Sequence, residues 1–254
     1  KIAKAAGYRD LKEVIAENGK LKTGDKVYAC HMGKTLALFN IGKEPLENGM
    51  KILGAHIDSP RIDIKQNPLY EDSDMALLDT HYYGGIKKYQ WVALPLAMHG
   101  VVALKDGTTV NVVIGEDKDD PVLGVTDLLI HLAAEQMEKK GAKVVEGENL
   151  DILIGSIPEK EEDKKDDKDA KASVKTAMLR IFKEKYGIEE EDFFSAELEV
   201  VPAGPARDYG MDRSMIMGYG HDDRVCAYTS LIAMLEVKDV DKTSVCLLVD
   251  KEEI

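Results

Sequence analysis

Three short apolar runs in this chain each stop at a group of metal-binding side chains, and that pattern constrains the fold more than any other feature. Residues 51–57 end in His56-Ile57-Asp58, residues 215–219 lead into His221-Asp-Asp-Arg224, and residues 245–249 run into Asp250-Lys-Glu-Glu-Ile254. Each run has the length and composition of a buried strand. Strand ends that carry a His, an Asp and a Glu pair read as one metal site assembled from distant segments. The chain stops directly after the Glu pair and starts without a Met, so it reads as a fragment, truncated at its C-terminus.

The rest of the chain sets these runs in an α/β frame. Leu11, Val14 and Ile15 form an apolar stripe on an N-terminal helix that Gly19 ends. Residues 26–32 and 35–41 pair as a hairpin around Gly33. The texture then changes. Asp106-Gly107 between residues 98–105 and 108–114 is a strong hairpin signal. Thr126 as N-cap, with Val125 and Ile130 as a hydrophobic staple, predicts a helix closed by Gly141. Residues 150–154 and 197–201 read as strands, and Val174, Met178, Ile181 and Phe182 as a helix up to Gly187. Residues 159–171 are almost wholly Glu, Asp and Lys, which bury too little to offset ordering entropy, so they read as a mobile loop. A last helix spans Val225 to Leu235. The expectation is a catalytic domain of residues 1–75 and 208–254, interrupted by an inserted β-rich module at 76–207.

Charge narrows the partners. A net charge of -13, from 34 basic and 47 acidic residues, argues against nucleic acid or an anionic membrane surface, which attract basic stripes. Membrane partners are further disfavoured because no apolar run is long enough to span a bilayer. Cys30, Cys226 and Cys246 fall outside any Cys-x-x-Cys spacing, which favours a reducing, cytoplasmic compartment over a disulfide framework or a thiolate zinc site.

The motifs carry the chemistry. In His56-Ile57-Asp58, Asp58 is spaced to accept the second N–H of the His56 ring, the orienting contact a metal-bound imidazole needs. Asp222-Asp223 opens a helix. Its plain reading is a capping pair, and its functional reading is that Asp222 bridges two cations while Asp223 and Arg224 buttress the turn. Of the Glu252-Glu253 pair, one carboxylate can hold metal while the other stays free as a base. Met211, Met215 and Met217 read as core or loop packing. His31, His81 and His99 lack a spaced partner and read as structural.

Four blocks together resemble the aspartyl-aminopeptidase-type zinc metallopeptidases, a family of co-catalytic dizinc exopeptidases. They are Gly54-Ala-His-Ile-Asp-Ser-Pro-Arg61, Tyr83-Gly-Gly with Trp91 and Pro95-Leu96, His221-Asp-Asp-Arg224, and Asp250-Lys-Glu-Glu-Ile254. The resemblance implies a three-layer mixed-sheet α/β catalytic domain interrupted by an inserted dimerisation domain. It implies that His56, Asp222 and Glu253 ligate metal, with Asp222 bridging. Glu252 is then the general base, and Asp58 joins it in the catalytic machinery by orienting His56. It also implies two zinc ions per subunit (the same donors suit cobalt or manganese), peptide substrates, and a homo-oligomer, a dodecamer built from dimers. By the same resemblance His131 is a candidate for reaching the substrate site of a neighbouring subunit. Further ligands, an Asp and a His, lie in the family beyond the Glu pair. The expected function is removal of N-terminal residues from peptides. The alternatives are another co-catalytic metallohydrolase (a carboxypeptidase or deacylase) or a non-catalytic assembly homologue.

Overall fold

The computed structural model describes residues 1–159 and 173–253. The chain forms two compact units, one of Lys1–Ser59 with Gly220–Ile254 and one of Pro60–Tyr219. In chain order the first unit starts with α1 (Ile2–Ala5), β1 (Arg9–Asp10), α2 (Leu11–Ala16), β2 (Lys26–His31), β3 (Thr35–Asn40) and β4 (Lys51–His56). The second unit supplies β5 (Arg61–Asp72), β6 (Met75–Tyr83), β7 (Leu96–Ala103), β8 (Thr109–Ile114), α3 (Ala134–Met137) and β9 (Ile152–Gly155). It continues with α4 (Val174–Tyr186), β10 (Ala196–Pro202), β11 (Arg207–Tyr209) and β12 (Met215–Met217). The chain then returns to the first unit as α5 (His221–Glu236) and β13 (Ser244–Val249).

The first unit is a five-stranded mixed sheet of order β1-β2-β3-β13-β4. Gly33, at φ +73°, makes the turn that lets β2 and β3 pair antiparallel from Lys26↔Asn40 to His31↔Thr35. β13 lies between β3, to which it is antiparallel, and β4, to which it is parallel. Its side chains Val245, Cys246 and Leu248 are buried, and burying an aliphatic side chain stabilises by about 1.5–3 kcal/mol. With Tyr8, Leu38, Ala227 and Met234, Cys246 and Leu248 make the core cluster of this unit. The Tyr8 hydroxyl lies 2.7 Å from Asn40 Oδ1 and 3.0 Å from the Met234 carbonyl, so the buried polar tip is satisfied.

Two of the three apolar runs are not buried. β4 is an edge strand, hydrogen-bonded to β13 alone, and Ile52 and Leu53 are 58% and 45% exposed. Met215, Ile216 and Met217 of β12 are all exposed as well, because β12 pairs only with β11 in a two-stranded ribbon. Met211 is fully exposed too, so these methionines are not core packing.

The second unit is built on a six-stranded sheet of order β8-β7-β10-β5-β6-β9. The Asp106-Gly107 turn works as expected. Gly107 takes φ +86°, and Asp106 Oδ1 accepts from the Thr108 amide and hydroxyl at 2.9 and 2.6 Å. α4 is capped at both ends, by the Ser173 hydroxyl accepting from Thr176 N and by Gly187 in the left-handed region at φ +71°. Phe182 from α4 meets the fully buried Phe193 edge-on at 5.3 Å.

Two expectations for this part need correction. Residues 126–141 do not form a helix. They hold a 3-10 turn at Ile130–Leu132 and the four-residue α3. Asp127 Oδ1 accepts from the Leu128 amide and from Gln136 Nε2, at 2.8 and 2.9 Å, and so competes with helical bonding. The domain edges also move, to 59/60 and 219/220 in place of 75/76 and 207/208. The reason is pairing, since β5 hydrogen-bonds to β6 and β10 and so belongs to the second sheet. The charged stretch 159–171 lies, apart from Glu159, outside the described residues. Among the described residues all three cysteines are free, and no helix is long and apolar enough to cross a membrane.

Candidate metal centre

The site grows out of the parallel pairing of β4 and β13. Their register sets Val249 opposite His56, and Ile57 N–H donates to the Val249 carbonyl at 2.8 Å. Parallel neighbours end on the same side of a sheet, so His56-Ile57-Asp58 and Glu252-Glu253 leave their strands side by side. In α5 the regular helix begins only after Asp222 and Asp223, whose backbones are non-helical and joined by a cis peptide bond. The two aspartates make different contacts. Asp223 Oδ1 accepts from Cys226 N at 3.3 Å as a cap, while Asp222 Oδ1 lies 3.2 Å from His56 Nε2.

The donor atoms of His56, Glu252 and Glu253 lie within 4.8 Å of one another. His56 Nε2 is 3.7 Å from Glu252 Oε2. Two donors at ~2.0–2.1 Å from a tetrahedral zinc lie about 3.3 Å apart. The His56–Asp222 separation of 3.2 Å therefore suits a shared ion, and one imidazole among carboxylates is a donor set zinc accepts.

The other ring nitrogen is held as well. His56 Nδ1 is 3.0 Å from the Asp58 carbonyl oxygen and 3.3 Å from Asp58 Oδ1. That leaves Nε2 as the free donor for metal. The Asp58 side chain has no solvent exposure, against 60% for Glu252 and 87% for Asp222. Burial pulls the His56 pKa down, but Glu252, Asp222 and Asp58 outweigh it and hold the ring above its ordinary value. Burial and the neighbouring Glu252 push the Glu253 carboxyl up, with His56 opposing.

The structure thus gathers His56, Asp58, Asp222, Glu252 and Glu253. His131 belongs to the second unit and sits, exposed, on the Ile130–Leu132 turn rather than on a helix. His221 is exposed at the start of α5.

Sequence reasoning missed three contributors. Ser59 is buried, and its hydroxyl donates to the Asp222 carbonyl at 2.9 Å. Gly220 sits at φ +79°, where a Cβ would come within 2.9 Å of the Arg224 guanidinium and 3.2 Å of Ser59 Oγ. Lys251 holds φ +79° immediately before the Glu pair. Ser59 and Gly220 were visible as small residues abutting the motifs, whereas nothing in the sequence marks Lys251.

A mixed α/β sheet that presents an imidazole and several carboxylates at neighbouring strand ends has the layout of a metallohydrolase. The family model described as Aminopeptidase I zinc metalloprotease (M18) matches residues 1–254, and the chain belongs to that family. It is 64% identical over 254 residues to a probable M18 family aminopeptidase 1 of Clostridium acetobutylicum, covering 100% of this chain and 53% of the relative. The crystal structure of aminopeptidase I from that organism matches with TM-score 0.88 at 62% identity, over 99% of this chain and 54% of the other. The M18 aminopeptidase structure from Thermotoga maritima matches with TM-score 0.88 at 45% identity, over 100% of this chain and 53% of the other. The chain spans about half the length of the curated relatives it matches.

Proposed function

We propose that this chain carries the metal-binding part of an aminopeptidase that removes N-terminal residues from peptides. The observation that supports this most is the gathering of His56, Glu252 and Glu253 within 4.8 Å, with Asp222 3.2 Å from His56 Nε2. In this reading His56, Asp222 and Glu253 would hold the zinc. The metal, when bound, supplies Lewis-acid polarisation and makes water a nucleophile at neutral pH. Glu252, with its exposed carboxylate, takes the proton from the attacking water and returns it to the leaving amine. Asp58 keeps the His56 ring turned so that Nε2 faces this space.

Membership of a zinc metalloprotease family named for an aminopeptidase supports this chemistry over a carboxypeptidase or deacylase. The test is hydrolysis of aminoacyl-nitroanilides by the full-length protein, with free and with blocked amino groups, with and without chelator. Chelator-sensitive release from free amines only is the expected result. Release only from blocked compounds would replace the reading with a deacylase, and no release from either would favour a non-catalytic assembly role.

The assembly itself is part of the proposal. Leu128, Leu129, Ile130, Leu132 and Met137 are all more than half exposed in one segment of the second unit, which supports contact with a second copy and, with it, the dimerisation role and a dodecamer of dimers. On that reading His131, within the same segment, is placed to serve a neighbouring subunit. Free thiols at all three cysteines support a cytoplasmic setting. Light scattering tests the assembly, with Ile130→Asp expected to shift the protein towards smaller species.

A further inference from the structure

The residues that would do the chemistry come from three segments far apart in sequence, yet one short loop holds the other two by their main chains. Asp58 Oδ2 accepts from the backbone N–H of Glu252 at 2.9 Å and of Glu253 at 3.1 Å, across 194 and 195 residues of sequence. The next side chain, Ser59, donates to the backbone carbonyl of Asp222 at 2.9 Å. We propose that Asp58 and Ser59 are positioning residues. Asp58 sets the Glu252–Glu253 pair through its amides as well as His56 through its ring, and Ser59 ties Asp222 to the same loop. The inference deepens the aminopeptidase reading and rests on its assignment of Glu252 and Glu253.

The local chemistry explains why an aspartate is needed. Lys251, at φ +79°, turns the chain so that two successive amides point at one oxygen, a concave arrangement that favours an anion. Hydrogen bonds to a carboxylate are shorter and stronger than neutral ones. The second oxygen, Oδ1, faces His56 Nδ1 at 3.3 Å. A carboxylate accepts the two amides on one side and turns negative charge towards the His56 ring on the other, while the ring Nδ1 hydrogen-bonds the Asp58 carbonyl. An asparagine accepts on one side and presents N–H on the other. With its side chain fully buried, Asp58 also has no water to replace these partners.

The clamp predicts a graded response in the metal-free chain, read by backbone amide NMR together with zinc titration. In Asp58→Ala the Glu252 and Glu253 amides should move upfield and lose protection from hydrogen exchange. Zinc affinity should fall by about 10–100-fold, the usual cost of losing a partner that orients metal ligands. In Asp58→Asn, where the amide oxygen can still take both N–H groups, those two amides should stay near their wild-type shifts while zinc affinity drops. In Ser59→Ala the same amides should be unchanged, with zinc binding weakened. Amides 252 and 253 that do not respond to Asp58→Ala in a protein of unchanged circular dichroism would overturn the clamp, whatever the enzyme assay shows. Equal loss in Asp58→Asn and Asp58→Ala, with the amides unmoved in both, would reduce Asp58 to a partner of His56 alone. A failed nitroanilide assay with responsive amides would instead count against the aminopeptidase reading and leave the clamp standing.

Discussion

The two units of this molecule bury their apolar residues very differently. In the second unit the six-stranded sheet, α4 and the loops between them enclose a continuous core, with Ile62, Leu78, Leu96, Met98, Leu150, Ile152, Ile188 and Phe193 fully buried. In the first unit the buried apolar set is small, and β4 leaves Ile52 and Leu53 open at the edge of the sheet. Both units also bury polar groups, Asn40, Asp58, Ser59 and Thr243 in the first and Arg61, Thr80 and Asp192 in the second. The comparison teaches that the second unit sets its buried polar groups against a large continuous apolar core, while the first sets its own against a much smaller one. Stability in the first unit should therefore depend on ions and hydrogen bonds to a degree that the second does not share.

Core truncation should separate them most strongly. Phe193→Ala removes a fully buried ring packed edge-on against Phe182 and should cost about 3–5 kcal/mol in denaturant unfolding of the second unit. Zinc binding by the first unit should survive in the same protein, and its loss would show the units to be one cooperative block. Metal should act in the opposite sense. At a hundredfold excess of zinc over its dissociation constant, unfolding of the first unit should become harder by about 2.7 kcal/mol. The second unit's transition should stay put, and His56→Ala should abolish the effect.

A cap tests the second unit more gently. Ser173→Ala removes the acceptor for Thr176 N and should cost ~1 kcal/mol, visible as a lower melting temperature. Asp151 gives a pH test. Burial raises its carboxyl pKa, partly offset by the Tyr70 hydroxyl that donates to it at 2.5 Å. A carboxyl that binds its proton more tightly when folded contributes stability at acid pH and loses it as pH rises through the folded pKa. Asp151→Asn escapes that loss, so its stability relative to wild type should improve as pH rises above the ordinary carboxylate range of about 4. An advantage independent of pH would rule out the buried carboxyl as the cause. The smallest effect is expected at the open edge. Leu53→Lys should change the stability of this chain by less than ~0.5 kcal/mol, because the side chain is already 45% exposed. A large loss there would mean that β4 is covered.

Legibility followed the distance over which a signal acts. The β2–β3 turn at Gly33, the Asp106-Gly107 hairpin and the Gly187 end of α4 were readable, because each depends on residues within one turn of one another. The β5–β6 pair was not read. Ile62 and Ile64 alternate with Asp63 and Lys65, but Gln66-Asn67-Pro68 interrupts the run and the register shifts between Ile64 and Leu69. The apolar run at 128–132 was misread as a helix face, although its leucines are exposed. Periodicity reports which side chains gain from burial and says nothing of whether a partner exists to cover them.

The site divides in the same way. The sequence alone determined which chemistry was available, since His56, Asp58, Asp222, Glu252 and Glu253 are the residue types that bind metal and move protons, set at predicted strand and helix ends. Only the tertiary structure decided that they meet. The parallel pairing of β4 with β13 brings His56 opposite Val249, and Asp58 then reaches amides 194 and 195 residues away. It also decided which aspartate caps α5 and which faces His56. Neither outcome is encoded by spacing. Backbone amides and carbonyls, the groups that fix this loop, are the same at every residue and gain a direction only when the chain is folded.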